Sequence, residues 1–265
     1  MKKIALTSLL TVFAAAGANA ANIIDGNPLY MPTKGNFYSV TDLSSHSENT
    51  NMFTLGEEFG YGVTDQLAIS VKTAVMEDEE FDYNAWGDMT FDAKYRVLDR
   101  GAWKLDLVGA YGVSPVWGDH RPFLEEDDTG YAWMAGVRGG YTTAQWTVAG
   151  HAMFVYGNSE SFNWNDDGAH ALKLGVDGQY VIDRNWNLTA GAEYTGHTDD
   201  LEVAGVKVKN RGTWEGYLGV NYNIDATKFI GAYVSAAMDH HGGDKADEWE
   251  WTDGFGYGLK FGIQF

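Results

Sequence analysis

The sequence predicts an all-β fold, a single transmembrane up-and-down antiparallel β-barrel of about 12 strands. Three observations predict it. Apolar and polar residues alternate through long segments, an aromatic–turn–aromatic unit recurs along the chain, and the connections between segments are short at one end and long and acidic at the other. The composition agrees: 33 Gly and many Trp, Tyr and Phe with only 4 Pro suit many strands and do not suit disorder. The absence of cysteine excludes a disulfide framework and thiolate chemistry. A net charge of −19 argues against nucleic acid as a partner.

Taken in order, the chain opens with Lys2 and Lys3, followed by an apolar or small-residue run from Ile4 to Ala18. Ala18-Asn19-Ala20 has the small-x-small form of a leader-peptidase site. The run falls short of the roughly 20 residues a spanning helix requires. Residues 1–20 therefore read as a secretory signal peptide cleaved after Ala20, with a buried N-terminal helix as the competing reading. Residues 21–265 read as one domain, because no linker or composition shift divides them. Strand segments are expected at 36–43, 52–63, 67–76, 87–97, 103–113, 130–141, 145–157, 169–181, 186–198, 211–223, 228–239 and 253–265. The first has the weakest pattern. In the second, Glu57 falls on the face of Phe53, Leu55 and Phe59, and a local bulge would absorb it.

Alternation is clearest near the C-terminus. Phe255, Tyr257, Leu259, Phe261, Ile263 and Phe265 share one parity, and Gly254, Gly256, Gly258, Lys260, Gly262 and Gln264 the other. Period 2 places the two sets on opposite faces of a strand. Leu172, Leu174 and Val176 likewise oppose Lys173 and Asp177, and Trp103, Leu105 and Leu107 oppose Lys104 and Asp106. The short links run from Tyr61 to Leu67, Tyr95 to Trp103, Tyr141 to Trp146, Tyr180 to Trp186 and Tyr222 to Phe229. Four of them carry an Asp, which is turn chemistry.

A soluble sandwich would also alternate. Its strands usually run to about 5 or 6 residues, however, whereas segments of about 10 to 13 suit a tilted strand crossing a bilayer. Tyr95/Trp103, Tyr141/Trp146, Tyr180/Trp186 and Tyr222/Phe229 are expected to form a belt at one membrane boundary. Closing the sheet removes every unpaired edge, as lipid demands.

The leader ending in Ala-Asn-Ala, the chain of paired strands and the terminal Gly258-Leu-Lys-Phe-Gly-Ile-Gln-Phe265 resemble the outer-membrane β-barrel proteins of Gram-negative bacteria, the small porin-like barrels among them. The resemblance covers the whole mature chain as a pattern and is specific for the superfamily, not for a subfamily. It implies short periplasmic turns, external loops and an outer-membrane location. It also implies an assembly signal at Tyr257, Leu259, Phe261, Ile263 and Phe265, read by the barrel assembly machinery after escort by periplasmic chaperones.

The polar faces place Lys72, Lys94, Arg96, Lys104, Arg138, Lys173 and Lys260 against Glu58, Asp92, Asp106, Asp177, Glu193 and Glu215, a nearly balanced lumen. Such a set either pairs internally for structure or forms a constriction that sorts solutes. A barrel for acidic sugars should show surplus Arg and Lys, which this one lacks. Most acids fall in the connections 77–86, 114–129, 158–168, 199–210 and 240–252. A rim of this kind attracts cations and bridges to lipopolysaccharide phosphates through divalent ions, or simply keeps the loops solvated. His240, His241, Asp244 and Glu248 are the one metal-like cluster, with irregular spacing. Ser44, Ser45, His46, Ser47 and Asn49 supply hydrolase residue types, and Asp239, His240, Asp199 and Asp200 a protease-like group, but neither has a recognisable arrangement. His151 reads as a satisfied lumen histidine. No cofactor, metal or catalytic residue is called for. The expectation is a porin-like channel for passive diffusion of small polar solutes, cation-preferring. The alternatives are a non-conducting structural or adhesion-type barrel and a barrel hydrolase.

Overall fold

The computed structural model describes residues 27–78, 83–114, 117–118, 130–157, 169–197, 201–203, 206–208, 212–240, 249–251 and 254–265. The expected signal peptide lies outside them. Twelve strands make the wall: β1 Phe37–His46, β2 Asn49–Gly62, β3 Leu67–Asp78, β4 Tyr83–Arg100, β5 Trp103–Ser114, β6 Gly130–Thr142, β7 Trp146–Gly157, β8 Ala169–Val181, β9 Trp186–His197, β10 Gly212–Asn223, β11 Lys228–His240 and β12 Gly256–Gln264. Each is antiparallel to the next, and β12 pairs with β1 from Tyr38↔Gln264 to His46↔Gly256, which closes the cylinder. Phe37 and Phe265 exchange two backbone hydrogen bonds of 2.8 and 3.0 Å at the closing seam. No helix occurs among the described residues.

The alternation resolves into an apolar outside and a polar inside. Leu107, Val137, Val148, Leu174, Val176, Leu188, Leu218, Ile230 and Leu259 are exposed, while Lys173, Asp106, Asn187 and Thr147 are almost fully covered. This inversion of the soluble pattern removes the sandwich reading, because large apolar groups left outward in a continuous wall demand lipid. Exposed aromatics ring the short-turn end. Trp103 stacks edge-on with Tyr141 at 5.0 Å, Trp186 meets Tyr222 at 4.9 Å and Trp146 meets Tyr180 at 4.3 Å.

Phe229 corrects that expected belt, since it points inward and is 0% exposed. Trp186 and Lys228 hold equivalent places after their turns, with Ile182 N bonding Trp186 O and Ile224 N bonding Lys228 O. Phe229 sits one residue further on, and one residue exchanges the faces of a strand. Glu57 is a second correction. It stays in regular register with Thr41 and Thr73, and the ladder instead shifts at Ser45/His46, Thr73/Val75 and Arg96/Leu98. Ser39 and Thr41 hydroxyls donate to its carboxylate at 2.5 and 2.7 Å, so the outward acid is satisfied without a bulge.

The turns use their polar residues unevenly. Asp183 Oδ1 accepts the Asn185 and Trp186 amides at 2.8 Å, and Asp225 Oδ1 accepts the Thr227 hydroxyl and amide, both at 2.7 Å. Those Thr227 contacts hold the Asp225 carboxyl below its usual range. At the other short turns Thr64 and Thr143 hydroxyls accept the amides. Between β4 and β5, Gly101 turns the chain at φ +60°.

The connections at the opposite end are more regular than expected. β3 continues to Asp78 and β4 starts at Tyr83, so Glu77 and Asp78 lie on a strand and not in a loop. Trp117–Gly118 pairs with Ala85–Trp86, Trp249–Trp251 with Met238–His240, and Leu201–Val203 with Val206–Val208. Strands that rise clear of the apolar band meet water on both faces, so polar side chains do not oppose pairing there, and pairing satisfies the backbone. Asp199, Asp200, His241, Asp244 and Glu248 lie outside the described residues, as does the side chain of His240.

Candidate functional site

The barrel's interior gathers the charged residues. Seven of the inward positions form one cross-strand row, each the direct partner of the next: Arg96, Asp106, Arg138, His151, Gly175, Glu193 and Glu215, from β4 to β10. Because barrel strands tilt, this row climbs around the wall from the short-turn end. Arg96 meets both oxygens of Asp106, at 2.7 and 3.0 Å, with Asp106 0% exposed. Two flanking residues complete the ladder. Lys173 Nζ lies 2.8 Å from Glu193 Oε1, and Asp177 Oδ2 lies 3.7 Å from Arg138 and 3.4 Å from His151 Nδ1. His151 Nε2 is 2.9 Å from Glu193, so the imidazole bridges two carboxylates. Gly175 makes this possible: a Cβ there would meet the His151 ring at 2.3 Å.

The remaining lumen residues pair locally. Lys72 lies 3.3 Å from Asp92, and Lys104 lies 2.7 Å from the exposed Asp99 at the short-turn rim. Lys260 lies 3.7 Å from Asp42 and 4.3 Å from the centre of the Tyr233 ring. Glu215 is set beside Glu193 across the β9–β10 pair. On the outer face of β12, Leu259, Phe261 and Phe265 are exposed, with Tyr257 and Ile263 half-buried between their neighbours.

Several inward groups escaped the sequence reading. Tyr38 donates to Glu58 Oε1 at 2.7 Å, Tyr217 to Asp177 at 3.1 Å and Tyr233 to Asp42 at 3.0 Å. Their signal was parity: Tyr217 alternates with Glu215 and Asn221, and Tyr233 opposes Ile230 and Val234. Tyr38, Val40 and Phe229 form a packed collar at the short-turn end, joined by Tyr30. A Cβ at Gly262 would lie 2.1 Å from the Phe229 ring, so that glycine admits the inward aromatic.

The segment preceding β1 enters this end of the barrel. Lys94 Nζ donates to the Tyr30 carbonyl at 2.5 Å, and Arg96 donates to the Leu29 carbonyl at 2.5 Å. Tyr30 in turn donates to Gln264 at 3.0 Å, and Leu29 is only 1% exposed. Beside it, a cavity of about 60 Å³ is lined by Tyr38, Lys72, Asp92, Lys94, Arg138 and His151, among others.

The described residues proposed for a hydrolase make local contacts. His46 Nδ1 faces the Glu48 amide at 3.5 Å, Ser47 Oγ accepts the Phe255 amide at 2.8 Å, and Asp239 accepts from Thr213 at 2.8 Å. Among the described residues no group of three or more His, Cys, Asp or Glu is arranged to hold a metal ion.

No family model matches this chain, and no curated protein matches its sequence. Its fold is nevertheless that of the outer-membrane β-barrel channels. An outer-membrane channel from Pseudomonas putida F1 superposes with a TM-score of 0.59 over 89% of this chain and 97% of its own, at 14% identity. The NanC porin aligns with a TM-score of 0.56 over 86% and 98% at 10% identity. The KdgM porin, solved in complex with disordered oligogalacturonate, aligns at 0.51 over 87% and 99%, again at 10% identity.

Proposed function

We propose that the protein is an outer-membrane, porin-like channel for passive diffusion of small polar solutes, with a preference for cations. The observation that carries this reading is a closed wall, apolar outside, around a row of buried charges and a small cavity. Neighbours of the same fold include channels, which supports the role and the Gram-negative outer-membrane location. Lys94, Arg96, Asp92, Lys104, Asp106, Arg138, Lys173, Asp177, Glu193, Glu215 and Lys260 line the lumen in this reading, together with Glu58 and with Asp42 added to the acids. KdgM was solved with a polyanionic sugar. Here the cations just described, Lys94 aside, each face a carboxylate, so a polyanion finds no continuous uncompensated basic track. The acidic rim then biases entry towards cations, and outer-membrane lipid and lipopolysaccharide surround the wall.

Reconstitution into planar bilayers tests the proposal. Small discrete steps are expected, with a reversal potential on the cation side under a KCl gradient. A folded barrel that stays silent removes the channel and leaves a non-conducting structural or binding barrel, a reading favoured by the segment lodged at one mouth. Turnover of a phospholipid or peptide substrate by the folded protein would reinstate a hydrolase.

A further inference from the structure

We propose that residues 27–33 form a strap across the periplasmic mouth, and that this strap, not the strand wall, sets the narrowest passage of the pore. The inference rests on the channel reading for its consequence but on independent contacts for its geometry.

The strap is fixed at several points. Leu29 and Tyr30 offer their carbonyls to Arg96 and Lys94, two side chains rooted in β4. Tyr30 crosses to Gln264 at the end of β12 and packs edge-on against Tyr38 of β1, with ring centres 6.5 Å apart. The exit of the segment is tied to β2, where Gly35 N bonds Gly62 O at 2.8 Å and Gly62 N bonds Asn36 O at 3.0 Å. Contacts to β1, β2, β4 and β12 therefore draw the strap against several walls at once. Leu29 and Pro32 are fully buried although no strand pairs with them.

Lysine and arginine side chains that bind backbone carbonyls are committed to the strap and are not displayed to a passing ion. A rigid element that consumes both fixed charges and cross-section at one level of a barrel governs conductance and selectivity together. Gly62 shows how closely the strap lies. A Cβ there would stand 2.2 Å from the Thr33 carbonyl oxygen and 2.8 Å from that of Pro32, both backbone atoms. A bulky residue at this position cannot fit without lifting the strap.

The absence of native cysteine makes a single introduced thiol a clean reporter. Five variants of the full barrel serve: deletion of residues 27–33, Gly62→Leu, Leu29→Cys with and without Gly62→Leu, and Ala226→Cys. The deletion and Gly62→Leu are each expected to raise single-channel conductance at least about twofold. Leu29→Cys is expected to react with a water-soluble maleimide about tenfold more slowly than Ala226→Cys, an exposed turn control. Adding Gly62→Leu should remove that protection. Equal reaction rates for Leu29→Cys and Ala226→Cys would overturn the strap, and unchanged conductance on deletion would overturn its role as the narrowest passage. If neither wild type nor deletion conducts, the channel reading falls with the strap's role in conduction, while the thiol rates still decide whether the strap is there.

Discussion

Asp106 and Lys104 sit two residues apart on β5 and carry very different weight. Asp106 is fully covered and holds Arg96 through two contacts, so Asp106→Ala leaves a buried cation with only the exposed Asp99, 3.8 Å away, as a charged partner. A loss of about 3–5 kcal/mol in unfolding free energy is expected. Lys104 pairs with an exposed Asp99, and Lys104→Ala should cost no more than about 1 kcal/mol. Urea titration of the refolded barrel in detergent or lipid checks both, and equal losses would contradict the ranking. Glu57 offers a third test. Its carboxylate faces outward among Leu55 and Phe59 and takes two hydroxyl donors. Glu57→Gln keeps one acceptor, lets the second hydroxyl turn to accept from the new amide, and removes a charge from the lipid face, so stability in bilayers should equal or exceed wild type. A marked drop would point to a cationic neighbour at that face.

At the level of strands, β5, β8 and β12 could be placed from sequence because a membrane wall enforces strict period 2 over long runs. Leu172, Lys173, Leu174 and Asp177 betray their faces by chemistry alone. Phe229 misled because an aromatic after a turn resembles a girdle residue, and only the turn's register reveals that Lys228 holds that place. The strap was not legible: Asn27–Thr33 has no periodicity, and what defines it is the charge of β4, some 64 residues away, reaching its carbonyls. The ion-pair ladder was half legible, since parity names the inward residues but not which strand meets which. β12 also carries a prediction of its own. If its outer face is the assembly signal, Phe265→Ala should lower the amount of barrel in outer membranes of cells while leaving refolding in detergent near normal. Gel mobility of heated and unheated samples measures both, and parallel failure in the two settings would mean that Phe265 matters only for packing at the Phe37 seam.

For the molecule as a whole, the selectivity of the proposed channel would follow from the balance of fixed charge. The lumen cations are matched, so cation preference should come largely from the acidic rim and fade as salt is raised. The reversal potential at low and high KCl tests this, and a preference that survives molar salt would place its source deep in the lumen instead. The pairing of β1 with β12 has a last consequence. The two strands that meet are the most distant along the wall, so ring closure is a contact of near-maximal sequence separation. Such topologies fold slowly, and no fragment lacking either strand can satisfy its own backbone. Synthesis must therefore finish before insertion can, and a chain shortened within β12 should not give a smaller pore but no pore at all.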